Sequence, residues 1–193
     1  SSRAIATQNV DRSVARAHIR VGARYLLKAD VAQFYSSIYT HAVPWAIHTK
    51  TVAKQQMRNY SLYGNLLDRE LQACHLGQTK GIAIGPDTSL AIAELLLATV
   101  DNSVARRCNI VGGVRFIDDI EMSFTSLSNA ESAVIALEAE LYNFELQLNG
   151  NKTAIVELPT EIESVFVTKL RSFLPAAENA LFASWVDYFN RAF

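Results

Sequence analysis

Cysteine is almost missing from this chain: among 193 residues only Cys74 and Cys108 are cysteines. Both stand in apolar surroundings, with no Cys-x-x-Cys spacing and no neighbouring pair of histidines. A disulfide framework and a zinc knuckle are therefore disfavoured, and two core thiols are the expectation. Long apolar runs are missing too. None approaches the roughly 18 residues that cross a bilayer, and the N-terminus lacks the charged-then-apolar layout of a signal peptide. The expectation is a cytoplasmic protein with no membrane partner. There is no internal repeat, no low-complexity tract and no linker. The chain opens without Met and closes on Asn-Arg-Ala-Phe, with no tail composition, which suggests a piece of a longer protein.

What is present is apolar. Half the residues are hydrophobic, enough for a real core in one domain with a small appendage. Net charge is only -1, but it is unevenly spread. Residues 1–28 hold Arg3, Arg12, Arg16, Arg20, Arg24 and Lys28 against the single acid Asp11, so the chain is basic at its start and acidic beyond. Arg12, Arg16, Arg20 and Arg24 recur at steps of four, which on a helix makes one basic stripe, with Gly22 weakening its last turn. Such a stripe is either a solvated face or a surface for phosphates.

The pattern of the chain reads as mixed helix and strand. "RYLLKADVAQF" is a strand ending near Asp30, and "FYSSIYTHAVPWAIHTK" continues as helix with a break and a second start at Pro44. "GNLLDRELQACH" is helical. "LAIAELLLATVDNSVARR" is long, apolar and free of breakers, as in a buried helix. "GGVRFIDDIEMSF" reads strand, tight turn, strand. Ser128 with Glu131 forms a capping box, and Ala130, Val134, Leu137, Leu141 and Phe144 fall on one face, predicting a helix over 129–145. "LQLNGNKTAIVEL" is two short extended pieces around Asn-Gly, and "LFASWVDYFNRAF" is helical. The order predicts an α+β fold, an antiparallel sheet with helices on one face.

In that fold the adjacent Asp118 and Asp119 pose a question, because Asp is depleted from strands. A surface hairpin turn is the plain reading. The alternative is a cation site completed by Asp30, if the hairpin pairs beside the strand that Asp30 ends. Carboxylates so gathered repel unless a cation joins them. Oxygen ligands without His or Cys favour Mg²⁺, shared with substrate phosphates, in the manner of a two-metal phosphoryl-transfer site.

Four segments, "KADVAQFYSSI", "KGIAIGPDTSLAIAE", "VRFIDDIEMSF" and "LQLNGNKT", resemble in order the palm motifs A, B, C and D of reverse transcriptases, covering residues 24 to 155. "FYSSIYTHAVPWAIH" and "GIAIGPDTS" look most like the bacterial branch linked to abortive infection and antiviral defence. The resemblance implies a polymerase palm with a ferredoxin-like or RRM-like sheet. Residues 1–23 would then be a basic remnant of the fingers and 24–193 the palm, with no thumb. Asp30, Asp118, Asp119 and the Val31 carbonyl would be the ligands of Mg²⁺, with Mn²⁺ as a substitute, and Lys152 would meet the triphosphate. Tyr35 matches the steric gate that excludes a 2′-hydroxyl. Gly81, Gly85, Pro86 and Ser89 match the loop under the nascent base pair, and Arg115, counted with them as substrate-binding, sits where an arginine is common in motif C, with a carboxylate as its expected partner. Arg12, Arg16, Arg20, Arg24 and Lys80 would serve nucleic acid.

Departures stand beside the matches. Lys80 replaces a usual glutamine, Ala83 a frequent proline, and Ile117 a small residue that would otherwise clear the primer end. The implied partners are deoxynucleoside triphosphates, an RNA or DNA template and primer, and the fingers and thumb of a longer chain. The rival readings are another palm enzyme, such as an RNA-dependent RNA polymerase or a nucleotide cyclase, and a non-catalytic palm-fold binding or assembly module.

Overall fold

The strand expected to end near Asp30 is β1, Tyr25–Asp30, and the sheet is assembled around it. In the computed structural model, which describes residues 11–172 and 182–192, Gly112–Phe116 is β2, Asp119–Phe124 is β3 and Ala154–Glu157 is β4. Every pairing is antiparallel and the strand order is β2-β3-β1-β4. The hairpin therefore pairs beside β1, as its apolar, turn-bounded pattern predicts. The helices are α1 Arg12–Arg20, α2 Phe34–Ser37, α3 Ala42–His48, α4 Lys50–Gln55, α5 Tyr63–Cys74, α6 Asp87–Arg107 and α7 Leu127–Asn143. A 3₁₀ turn, Gly150–Lys152, precedes β4.

Alternation along the strands sorts the layers. Leu27, Ala29, Ile120, Met122 and Phe124 face a core shared with Leu96, Leu97 and Val100 of α6 and Leu137 and Leu141 of α7. Leu27, Leu96, Leu97, Leu137 and Leu141 are fully buried, each contributing about 1.5–3 kcal/mol relative to exposure. The opposite face is not bare. The α1 helix lies across β2 and β3 there, with the Ser123 hydroxyl donating to the Ile19 carbonyl and Gly112 leaving room for Ile19. Helices thus stand on one face, as expected, and α1 adds cover to the other.

Several local expectations shift. The helix after β3 starts two residues earlier than the Ser128 capping box predicts, because Ser126 is its N-cap and accepts from the Asn129 N–H. Pro44 does not begin the second helix. The chain breaks between Ser37 and Ala42, and Pro44 lies in the first turn of α3, where its missing N–H is unneeded. Arg24 lies outside α1, which ends at Arg20, and Gly22 follows at φ +76°. Cys74 is not a core thiol but exposed at the end of α5, whereas Cys108 is half-buried and burial pushes its thiol up. By length and composition α6 is long and apolar enough to cross a membrane, which a search for unbroken apolar runs misses. Its buried stripe is Ile92, Ala93, Leu96, Leu97, Val100 and Val104, and it packs against α3 and α7.

Contacts divide the chain into two units at Leu158 and Pro159. The second contains α8, Val165–Ser172, and α9, Phe182–Ala192, in which Trp185 meets Tyr188 edge-on with ring centroids 6.1 Å apart. Residues 1–10, which include Arg3, and residues 173–181 and 193 lie outside the described residues.

The seat of α5 on α3 is narrow. A Cβ on Gly64 would come within 2.8 Å of the Pro44 Cα and 2.9 Å of the His48 Cδ2. Local helix propensity favours alanine over glycine by about 1 kcal/mol, but overpacking against backbone costs about 1–3 kcal/mol. Gly64→Ala is therefore expected to destabilise the protein, read as a lower urea midpoint at unchanged m-value. A raised midpoint would show that α3 gives way freely.

Candidate active site

The β1 and β3 strands pair in the register Lys28↔Glu121 and Asp30↔Asp119. Directly opposed residues share a face, so Asp30 and Asp119 stand side by side, with Asp118 on the adjoining turn. Like charges directly opposite destabilise a strand pair. Here each carboxylate meets a cation from a different element. Lys152 donates from Nζ to Asp30 Oδ2 at 3.0 Å, and Asn149 donates from Nδ2 to Asp30 Oδ1 at 3.1 Å. The Asn149 N–H also donates to the Asp30 carbonyl at 2.8 Å. Arg16 donates from Nη2 to Asp119 Oδ2 at 3.2 Å. The bond to Asp30, and then the fields of Asp30, Asp118 and Asp119, hold the exposed Lys152 ammonium above the usual lysine range. Asp30 is mostly covered, at 13% side-chain exposure, and Asp119 is open at 56%.

Asp118 owes its place to a two-residue turn between Phe116 and Asp119, which pair across it. Ile117 has φ +62° while Asp118 is not in the left-handed region. Positive φ at the first central residue alone is the pattern of a type II′ turn, where glycine is favoured. A β-branched residue there carries strain, on the order of 1–3 kcal/mol. Two bonds hold the turn. Arg115 Nη1 donates to the Ile117 carbonyl at 2.8 Å, and the Val31 N–H donates to the Asp118 carbonyl at 3.3 Å. Arg115 does not reach the acidic face. It opposes Ile120 in the ladder and points to the α6 side, where it is 9% exposed and bound by Glu94 and Asp101.

The remaining expected residues lie on α2, in the loop before α6 and in its first turn. Tyr35 on α2 is half-buried beside Phe34, with ring centroids 5.4 Å apart. Burial first, then the fields of Asp118 and Glu94, push its phenol up, so it stays an uncharged O–H. The loop before α6 is bonded to α2: the Gly81 N–H donates to the Ile38 carbonyl at 2.8 Å and the Ile82 N–H to the Tyr35 carbonyl at 2.9 Å. Gly81 has φ +88°, and a Cβ there would lie 3.3 Å from the Ser36 carbonyl, so only glycine suits the crossing. Gly85 and Pro86 are exposed, Pro86 is the N-cap of α6, and Ser89 is buried in its first turn.

The basic stripe is neither a solvated face nor wholly open to phosphates. Arg16 Nε lies 2.9 Å from Glu121 Oε1, and Arg20 Nη2 lies 3.2 Å from Glu121 Oε2, with the Glu121 side chain only 8% exposed. Arg12 stacks on Phe116 at 4.9 Å, and Arg24 pairs with Glu157 at the surface. Lys80 is exposed and bridges to Tyr39 through its backbone. Four residues of these networks stand outside the expected set: Glu121, Asn149, Glu94 and Asp101. Glu121 and Asp119 alternate on one strand face, and that spacing was the available signal for arginine partners. Asn149 stands within the quoted "LQLNGNKT". Glu94 and Asp101 are seven apart on one face of α6, which marks a two-turn acidic pair.

Among the described residues no three His, Cys, Asp or Glu side chains are gathered as a ready-made metal cage. The groups at this strand end are carboxylate oxygens, hard donors of the kind from which Mg²⁺ is bound when it keeps waters and substrate phosphates. A four-stranded antiparallel sheet with carboxylates at the end of its central strand and on the adjoining turn defines a palm-like α+β domain. The family model described as reverse transcriptase (RNA-dependent DNA polymerase) matches residues 2–174, and the chain belongs to that family. Its domains transfer nucleotidyl groups, bind template nucleic acid and nucleotides, and generally use divalent metal ions.

The Arg16–Glu121–Arg20 triad makes a stability prediction. Breaking a buried ion pair by neutralising one member costs about 3–5 kcal/mol, whereas an exposed pair is worth under about 1 kcal/mol. Glu121→Gln, which keeps one acceptor, should lose about 3 kcal/mol by urea unfolding, and Asp119→Asn should lose under about 1 kcal/mol. Equal losses would remove the distinction between the two pairs.

Proposed function

We propose that this chain carries the nucleotidyl-transfer centre of a reverse transcriptase that adds deoxynucleotides to a primer 3′-hydroxyl on an RNA or DNA template. The observation that carries the reading is the pairing of Asp30 with Asp119 at one end of β1 and β3, with Asp118 on the turn bonded to Val31, within a chain matched by the family over most of its length. Asp30 and Asp118, with the Val31 carbonyl, are the residues that would hold Mg²⁺, and Asp119 completes the acidic set. A divalent ion bound there supplies charge to the transferring phosphoryl group and to the leaving pyrophosphate.

The chain's own groups do the rest. Lys152, exposed, protonated and bonded to Asp30, would become a donor for triphosphate oxygens once that carboxylate binds the ion. Tyr35, neutral and wedged against Phe34, presents a ring where a 2′-hydroxyl would clash. The Gly81 crossing lets the loop from Ile82 to Pro86 approach a base pair without a Cβ in the way. Arg12 and Lys80 are exposed and suited to phosphates, while Arg16 and Arg20 are already engaged by carboxylates. The likeness of "FYSSIYTHAVPWAIH" and "GIAIGPDTS" to the defence-associated bacterial branch supports a cytoplasmic role in phage defence.

Primer extension with each nucleotide class tests the reading. Asp118→Asn should abolish incorporation while leaving the unfolding midpoint unchanged or raised, because a charge leaves a repulsive cluster. Incorporation at the wild-type rate would overturn the assignment. Tyr35→Ala should admit ribonucleotides, with deoxy-over-ribo selectivity falling about 10–200-fold, the range one steric contact supplies. Unchanged selectivity in the folded variant would make Tyr35 a core aromatic only.

A further inference from the structure

Arg115 makes more bonds than a structural ion pair needs. Its guanidinium donates from Nη1 and Nη2 to Glu94 Oε1 and Oε2 at 2.9 and 2.8 Å, and from Nε to Asp101 Oδ2 at 2.8 Å. Nη1 also donates to the Ile117 carbonyl at 2.8 Å. Glu94 and Asp101 sit two helical turns apart on α6, so a single planar fork spans them and is fixed in orientation. The fork then holds one particular peptide group of the hairpin.

That peptide joins Ile117 to Asp118. The next one, between Asp118 and Asp119, is held by the Val31 N–H at 3.3 Å. With both peptide planes flanking the Asp118 Cα fixed, its φ and ψ are fixed, and so is the direction in which its side chain leaves the backbone. The hold acts on a turn whose first residue is a β-branched side chain at φ +62°. Such a turn relaxes when released.

We propose that Arg115, clamped by Glu94 and Asp101, is the positioning residue of the acidic turn, aiming the Asp118 carboxylate toward the ion it would share with Asp30. This rests on the reading of Asp30 and Asp118 as metal-binding. Arg115 itself touches neither substrate nor metal; it acts from behind the sheet. The assignment removes it from the substrate-binding residues implied by resemblance and brings in Glu94, which ends the segment resembling motif B, and Asp101, which no motif marks. It also couples two parts of the site, because Glu94 lies close enough to Tyr35 for its charge to act on the phenol. Glu94, the Arg115 fork and the Asp118 turn therefore form one connected support.

The test uses Mn²⁺ binding to the 193-residue chain, read by the loss of the free-ion electron paramagnetic resonance signal, at a temperature where circular dichroism shows each variant folded. Arg115→Lys keeps the charge but cannot reach both acids and the carbonyl at once. It should weaken Mn²⁺ binding about 10–100-fold, the range for losing a group that orients a metal ligand. Glu94→Gln, at a half-exposed position, should weaken it in the same direction by less, and it decides the matter alone if Arg115→Lys does not fold. A purely structural arginine would lower the melting temperature and leave Mn²⁺ affinity in the folded protein unchanged, and that result overturns the proposal. Asp118→Asn separates the two layers. If it abolishes binding while the Arg115 and Glu94 variants bind as wild type, only the positioning role fails. If it binds as wild type, the metal reading fails with it.

Discussion

Two carboxylates held side by side across a strand pair are the constraint around which this domain is arranged. Antiparallel pairing of β1 with β3 brings Asp30 opposite Asp119, and the ladder cannot slip by one residue without turning Leu27, Ala29, Ile120 and Met122 out of the core. Burial on one face thus enforces repulsion at the strand end. The relief comes from outside the pair, with Lys152 from the turn before β4 and Arg16 from α1. Each cation is carried by an element whose docking is itself determined by the sheet, so the core and the charge pattern support one another.

The sheet separates two kinds of electrostatic work. On the α1 face, Glu121 ties two arginines in a nearly buried triad, where charge is spent on packing a helix. On the α6 face, Arg115 gives three N–H groups to two acids and a fourth to backbone. Desolvation raises the Asp101 carboxyl even with Arg115 bonded to it, while Glu94 and Asp101 each keep part of their side chain at the surface and only the guanidinium between them is buried. Asp119 is tied to the first network through Arg16, and Asp118 is linked to the second only through the backbone of its turn, by way of the Ile117 carbonyl.

Much of this arrangement was legible in the chain. Period-two alternation on either side of Asp118 and Asp119 is a strong strand signal, and the short apolar strand ending at Asp30 was its natural partner. The family resemblance then followed from four motifs in order. What could not be read was long-range pairing of charge. Arg16 and Arg20 meet acids more than a hundred positions away, and a step-of-four stripe looks the same whether it faces water or a carboxylate. Glu94 and Asp101 read as ordinary polar positions on an apolar helix until Arg115 is seen across from them. The α7 boundary shifted because Ser126 and Ser128 are equally good caps locally, and the end of β3 at Phe124 selects the first.

The position of β1 in the sheet also bears on how the chain reaches its native state. Its two neighbours are residues 119–124 and 154–157, so during synthesis β1 emerges with both edges unpaired and waits for most of the domain to follow. Non-local pairing of this kind slows folding and leaves apolar strand edges open to other chains meanwhile. Lys28 and Asp30, the charged members of an otherwise sticky Tyr-Leu-Leu-Lys-Ala-Asp segment, are suited to discourage such contacts. The same aspartate would then guard the nascent strand before it serves the folded site.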